Sequence, residues 1–377
     1  MKIALVHDDF VQAGGAESLF ATIASLWPDA QIYTSLVDWS KLPQSIARRR
    51  IKTSFIQIIP FANRFYKALL PLYPLAFESF KFDDFDLVIS STTRFAKSII
   101  TKPGTVHICY INSTPRFLWD QKTQEDYLPK IAILVFKPLL WWLARWDRTA
   151  ASRPDHYIAN SHNVAGNIKK FYNRDSQVIY PYVDLNYFKP AKIHNWQLRS
   201  QNYFLVVSRL VKWKKIEIVI KAAKELGINL KVVGKGPDEK RLKKIAIDDQ
   251  LSTLDYSVEF LGKVTKDILR NLYQNCQALI VTQEEDFGIA TVEAQACGNP
   301  VVAYKSGGQN EIIKDKITGL LFERQTAESL KDAIEAASHV KWSVSACRQN
   351  AMRFSKVRFI KGIKKAINQK QAYAPKS

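Results

Sequence analysis

Between Ala278 and Ala303 the chain packs two apolar runs, an acidic turn and a helical pattern into one short stretch. Ala278-Leu279-Ile280-Val281 and Pro300-Val301-Val302-Ala303 have the look of buried strands. Between them Ile289, Val292 and Ala296, with Ala290 and Ala294, recur at helical spacing, and Gly298 stands where a residue just past a helix end belongs. The unit therefore reads strand, acidic turn, helix, strand. In a parallel sheet that turn lies at the carboxyl edge of the strands, where open α/β sheets bind ligands. Few other folds accommodate it.

The turn also sets the chemistry. Asp286 and Gly288 bracket the helix start, whose unpaired backbone N–H groups suit a phosphate. Glu285 comes just before the helix and Glu293 lies inside it. A carboxylate beside an anion site is costly unless hydroxyls or cations satisfy it, and sugar hydroxyls would satisfy both. The plain alternative is an acidic first turn favoured by the helix dipole, plus one solvated glutamate.

The remaining chain repeats the strand-helix alternation. Residues 2–7 read as a first strand, followed by Gly14-Gly15-Ala16-Glu17 and a helix carrying Leu19, Phe20, Ile23 and Leu26. A glycine pair at a helix start lets backbone approach a ligand, but it is not G-x-G-x-x-G, which disfavours a dinucleotide site. Residues 32–36, 87–90 and 106–111 read as further strands, and 155–161 as a strand leading into a helix cap. A loosely patterned stretch to Ser200 suggests a domain boundary at 185–200. The second half starts afresh: strands at 203–208, 230–233 and 258–261, helices at 216–226 and 267–275, and a last strand at 319–322. A length of 377 residues supports two domains with separate cores. The expected domains are 1–190, 191–350 and a basic helical tail over 351–377, with 343–371 read as one long helix.

Net charge is +20, so an anionic partner or surface is needed. Two regions of the first half, 55–82 and 127–153, mix aromatic with basic residues, among them Phe61, Phe65, Trp141, Trp142 and Trp146 with Arg64, Lys67, Lys137 and Arg145. That composition suits a membrane interface, although aromatic helices packed on a sheet would look the same. Pro60, Pro71 and Pro74 are expected to break the first region into short pieces, and in the second the best apolar run, Ile131 to Ala144, is interrupted by Lys137 and Pro138. No run reaches the roughly 20 apolar residues of a membrane span. The start, M-K-I-A-L-V-H-D-D-F, reads as a strand rather than a leader. Four scattered cysteines argue against zinc and against a disulfide framework, and fit a reducing cytoplasm. Asp8-Asp9 and Asp83-Asp84 read as a strand-end turn and a solvated loop, not a metal site. No nucleic-acid motif accompanies the charge.

The spacing E-x7-E with Phe287-Gly288-Ile289 between resembles the signature of retaining, family 4 nucleotide-sugar glycosyltransferases. The likeness extends over most of the chain and implies a GT-B fold: α/β, two Rossmann-like doubly wound domains facing a cleft, with a C-terminal helix returning toward the N-terminal domain. Gly14, Gly15 and Glu17 resemble the family's N-terminal glycine turn. Ser208-Arg209-Leu210 and Lys214 resemble the cations that neutralise a donor pyrophosphate, where charge develops as the glycosidic bond breaks. Gly234 and Val264 match strand ends facing the nucleotide. The resemblance implies that Glu285 sits against the transferred sugar, that the backbone of Phe287, Gly288 and Ile289 lies along sugar and phosphate, and that Glu293 binds ribose hydroxyls. Ser161 and Arg116 match further substrate-binding positions. From Tyr110 to Asp120, and across the E-x7-E segment, the chain looks like bacterial mannosyltransferase-like enzymes of surface polysaccharide synthesis. Those relatives usually carry a histidine where this chain has Asn112, which cannot take a proton.

The implied activity is metal-independent, retaining transfer of a hexose, with mannose from GDP-mannose the first expectation. The acceptor would be lipid-linked or a saccharide. The nucleotide sugar is a co-substrate and no cofactor is implied. The enzyme would act in the cytoplasm, peripherally on an anionic membrane surface, with no nucleic-acid partner. Alternatives are a UDP-sugar-dependent enzyme of the same fold, an epimerase or hydrolase, and a non-catalytic basic scaffold.

Overall fold

The computed structural model describes residues 1–120, 130–191, 203–247 and 256–371. Contacts divide the chain into two units, one of Met1–Pro181 with the segment from Phe359 on, the other Tyr182–Arg358. The division falls earlier than position 190, because Val183 N–H donates to Phe354 O (3.0 Å) and Arg348 donates to Leu185 O (2.7 Å) and Phe188 O (2.6 Å), tying these residues to the second unit. Much of the loosely patterned stretch before Ser200 lies outside the described residues.

The first unit holds strands β1 (Ile3–His7), β2 (Gln31–Thr34), β3 (Ile51–Thr53), β4 (Leu87–Thr92), β5 (Val106–Ile111), β6 (His156–Ala159) and β7 (Ser176–Val178), in the order β3-β2-β1-β4-β5-β6-β7. Every pairing is parallel. The second holds β8 (Tyr203–Val207), β9 (Asn229–Val233), β10 (Val258–Gly262), β11 (Leu279–Val281), β12 (Val301–Tyr304) and β13 (Gly319–Phe322), in the order β10-β9-β8-β11-β12-β13, again all parallel. In each sheet the strand order reverses beside the first strand, the switch point where open α/β sheets take ligands.

Burial on both faces explains the unbroken apolar strands: β4 is buried at every residue, and β8, β9, β11 and β12 supply much of the second core. The helices supply the rest. Ile216–Leu226 contributes Ile216, Val219, Ile220 and Ala223, and ends in Gly227 at φ 63. Ser161, Thr265, Thr326 and Ser343 each cap a helix through the side-chain oxygen.

Lys130–Ala150 is one helix, with the Pro138 that interrupts its apolar run inside it. Pro138 sits on an exposed stretch, where solvent can take the carbonyl its missing N–H leaves unpaired. In the 55–82 region the prolines do not only break: Pro71 and Pro74 open the short helices Leu70–Leu72 and Tyr73–Glu78, where a missing N–H costs nothing. The basic tail is two helices, Val344–Ala351 and Lys356–Gln371, parted by Met352–Phe354. In the second, Phe359, Ile363, Ala366 and Ile367 are buried in the first unit while Lys356, Lys361, Lys364 and Lys365 face out.

Candidate active site

At the carboxyl edge of the second sheet, three strand ends are laced together. Ser208 N–H donates to Val233 O (3.0 Å), Leu210 N–H to Lys235 O (3.1 Å), and Gly234 N–H to Gly262 O (2.8 Å). Gly234 has φ 134, and a Cβ there would land on the Ser208 carbonyl oxygen, so only glycine fits. Gly234→Ala is expected to cost roughly 1–3 kcal/mol of stability, read from urea unfolding. Arg209 is exposed in this edge, and Val264 follows β10 half-buried.

The turn after β8 brings a lysine inward. Lys212–Lys214 is a short 3-10 turn ended by Lys215 at φ 54, a left-handed conformation unusual for lysine. Thr282, just after β11, donates its hydroxyl to Lys214 O (2.9 Å) and to Lys215 O (3.2 Å), which holds that turn in place. Lys214 is therefore buried, with its ammonium 4.1 Å from the Trp213 ring centre and ion-paired to Glu285 Oε1. Gln283 donates to the same oxygen at 2.6 Å. Gly308 N–H holds the Glu285 carbonyl at 2.8 Å, and a Cβ on Gly307 would strike that carbonyl.

The helix Ile289–Ala296 begins at Gly288, whose φ of 114 turns the chain from the acidic loop into the helix. A Cβ on Gly288 would lie 2.6 Å from Gln309 Nε2. The Phe287 ring is buried against Phe354, 5.3 Å between centres, and Ile289 opens the helix. Glu293 accepts from Tyr273 OH at 2.9 Å. Burial pushes its carboxyl up to about 7, opposed by the Tyr273 hydrogen bond and the Lys266 charge.

Glu293 has a stability consequence. Its folded pKa of about 7 lies above the ordinary 4.5, so across that window the folded chain holds a proton the unfolded chain has lost. Stability falls as pH rises through the window, and the loss is complete above it. Glu293→Gln removes this slope. With Glu293 half-buried by area, the ligand-free variant is expected to gain about 1–2 kcal/mol at pH 8 and little at pH 4.5, measured by denaturant unfolding at both.

In the first unit the named residues also gather at strand ends. Asn112 follows β5, donating Nδ2–H to Ser91 Oγ (3.1 Å), and its carbonyl accepts from Asn160 Nδ2 (2.7 Å). Ser161 is fully buried and its hydroxyl caps the helix His162–Tyr172 by accepting from Val164 N–H (3.0 Å), which fixes this strand-helix corner. Gly14 and Gly15 are exposed, with Gly14 extended at the helix cap. The Glu17 carboxylate closes on Gly14 N–H (2.8 Å), a capping role. Arg116 opens the short helix Arg116–Trp119, half-buried.

The Asp8-Asp9 pair is more than a strand-end turn. Asp8 is buried and accepts from the backbone N–H groups of Thr93 (2.6 Å), Arg94 (3.0 Å), Phe95 (2.9 Å) and Ala96 (2.8 Å), and from the hydroxyls of Thr92 (2.8 Å) and Thr93 (3.0 Å). Burial alone would raise its pKa, but Arg94, His7 and these donors hold it below the usual value. Asp9 pairs with Arg94. Among the described residues no group of acids, histidines and cysteines could hold a metal ion.

Two parallel doubly wound units, with a buried lysine, an acidic turn and a helix start at the carboxyl edge of the second, define a GT-B protein. Residues 13–187 match the family model "Glycosyltransferase Family 4" and residues 190–354 match "Glycosyl transferases group 1". The fold is thus that of the group 1 and family 4 GT-B glycosyltransferases. An uncharacterized glycosyltransferase of Methanocaldococcus jannaschii is 31% identical over 156 residues, 41% of this chain and 43% of that protein. D-inositol 3-phosphate glycosyltransferase of Mycobacteroides abscessus is 31% identical over 203 residues, 50% of this chain and 45% of that protein. The matched stretch spans less than half of each of these curated relatives. Among solved structures, Anabaena HepE in complex with UDP and glucose superposes with a TM-score of 0.68 at 20% identity, over 98% of this chain and 99% of that one. Sucrose-phosphate synthase of Thermosynechococcus elongatus gives 0.75 at 17% identity, over 99% and 100%.

Proposed function

We propose that this chain is a retaining hexosyltransferase that takes its sugar from a nucleoside diphosphate. The observation that carries the reading is the convergence of Lys214, Glu285 and the start of the helix Ile289–Ala296 at one sheet edge, with Glu293 inside that helix. Lys214, Arg209 and the helix N–H groups would hold the diphosphate without a divalent ion. Glu285 would orient the hexose and Glu293 would accept from ribose hydroxyls. As the bond from the anomeric carbon to the phosphate oxygen breaks, the acceptor oxygen bonds on the same face. The leaving phosphate takes the acceptor's proton, so Asn112 need not act as a base.

Mannose from GDP-mannose is the first donor to test, on the likeness of the 110–120 and E-x7-E segments to mannosyltransferase-like enzymes. A UDP-sugar is the second reading, favoured by the HepE complexes with UDP and with UDP-glucose. The test of mechanism is the anomeric configuration of the first-formed product by proton NMR, with turnover measured in excess chelator. Retention and chelator resistance are expected. Inversion or a strict magnesium requirement would sink the reading.

The acceptor is proposed to be lipid-linked or a saccharide, with the first unit docked peripherally on the cytoplasmic face of an anionic membrane. No described helix is long and apolar enough to cross a membrane. What supports docking is the large apolar exposure among basic residues: Ile58 (83%), Phe61 (76%) and Phe65 near Arg64 and Lys67, and Val135, Phe136, Trp141 (62%) and Trp142 near Lys137 and Arg145. Trp146 belongs to the other side of this surface, donating to Glu78 Oε1 (3.0 Å) and packing on Phe95. Flotation with anionic liposomes at low salt should carry the wild type upward and leave a Trp141→Glu, Trp142→Glu variant at the bottom. Wild type remaining at the bottom would remove the membrane from the account.

A further inference from the structure

We infer that Gln283 is a positioning residue for Glu285, the side chain that keeps its carboxylate aligned while Lys214 exchanges partners. The inference rests on the reading of Glu285 as the group that meets the donor sugar. Gln283 is buried, 5% exposed, two residues before Glu285 and directly after Thr282. Thr282 is fixed on both sides: its hydroxyl bonds the Lys214 and Lys215 carbonyls, and its own carbonyl accepts from Gln325 Nε2 at 2.7 Å. The Gln283 amide thus springs from a rigid point and reaches Glu285 Oε1 at 2.6 Å.

Lys214 donates to that same oxygen. The two donors differ in one respect that matters. A diphosphate placed at this sheet edge competes for the Lys214 ammonium, because it carries more charge than one carboxylate. It does not compete for Gln283 in the same way, since a neutral amide gains little from exchanging one oxygen for another. When Lys214 turns to the diphosphate, the Gln283 amide stays on the Glu285 carboxylate and the Gly308 N–H stays on its carbonyl. Lys214 is ion-paired to the carboxylate, and Glu284 and Asp286 are its chain neighbours in the turn.

The test compares wild type, Gln283→Met, Gln283→Glu and Glu285→Gln, scoring release of nucleoside diphosphate from GDP-mannose and from UDP-glucose, with thermal midpoints to check folding. Gln283→Met keeps length and volume but has no donor. It is expected to lower kcat by about 10- to 100-fold with donor KM within about 3-fold of wild type. Gln283→Glu sets a second carboxylate on the first and is expected to be as impaired at pH 8. It should recover at pH 5–6, where one proton shared between the two restores a donor, a recovery Gln283→Met cannot show. Wild-type kcat in Gln283→Met, or no acid recovery in Gln283→Glu while Glu285→Gln is inactive, overturns the inference and leaves the role of Glu285 standing. Full turnover in Glu285→Gln overturns both.

Discussion

Replacing Glu285 by glutamine is expected to lower turnover of the preferred nucleotide sugar by about 10²- to 10³-fold while the protein keeps its fold and its nucleotide affinity. Glutamine preserves the size of the side chain and removes the charge that faces the Lys214 ammonium, with Gln283 on the same oxygen. In the proposed reaction positive charge develops at the anomeric carbon and negative charge on the leaving diphosphate, and the fixed Glu285 and Lys214 face one each. Losing one such preorganised group typically costs 10²- to 10³-fold. Lys214→Met should cost a similar factor. The double variant should lose less than the product of the two, because the pair acts as a unit and each single change leaves the other's charge without its partner, Lys214 buried and Glu285 half-buried. Steady-state kinetics on the four proteins read this out. Strict additivity would mean that Lys214 and Glu285 do not cooperate, and an active Glu285→Gln would mean that the acidic turn is not where sugar is transferred.

Lys97→Met should be the most destabilising single change in the first unit, at about 3–5 kcal/mol. Lys97 and Asp147 are both fully buried and ion-paired. Asp147 comes from the helix Lys130–Ala150, and its other oxygen accepts from Trp119 Nε1 (2.9 Å) and Tyr172 OH (2.8 Å), while Lys97 also donates to Arg94 O (2.8 Å). One carboxylate thus joins four segments of the unit. Burial and the Asp147 charge together push the Tyr172 hydroxyl well above its ordinary pKa, so it stays a donor. Methionine fills the lysine's space but leaves the carboxylate in a dry interior with no cation. Lys97→Met, Asp147→Leu should be less damaging than Lys97→Met alone, since no charge is then stranded. Urea unfolding followed by near-UV circular dichroism measures both. A loss below about 1 kcal/mol for Lys97→Met would show that water or another cation reaches Asp147.

Most of the parallel strands were legible because burial on both faces leaves short continuous apolar runs, and the helices Ile216–Leu226 and Ile289–Ala296 because apolar spacing and a following glycine bound them. The strands β3 and β7 were not, because neither holds a fully buried residue and so neither carries such a run. In the site, Glu285 and Glu293 could be named from spacing, and Lys214 from the family resemblance. Their partners could not. Gln283 and Thr282 are ordinary strand-end residues until the turn at Lys215 brings Lys214 back over them, and Tyr273 meets Glu293 only because two helices pack together. Asp8 read as a turn residue since nothing local announces a carboxylate ringed by the N–H groups of residues 93–96. Ser161 could be placed at a helix start from the sequence, and its hydroxyl caps that helix.

The most direct measurement is a thermal titration of wild type and Glu293→Ala with GDP-mannose, UDP-glucose, UDP-N-acetylglucosamine and UDP-galactose. A ligand at 100 times its Kd stabilises the folded state by about 2.7 kcal/mol, which moves the midpoint of a unit this size by several degrees. One nucleotide sugar should raise the midpoint by that amount in wild type and clearly less in Glu293→Ala, because in the proposed site the half-buried Glu293 carboxylate meets the ribose. A UDP-sugar in place of GDP-mannose would change the donor and keep the site. No shift with any of the four, or the same shift in both proteins, would mean that the E-x7-E turn does not hold a nucleotide sugar.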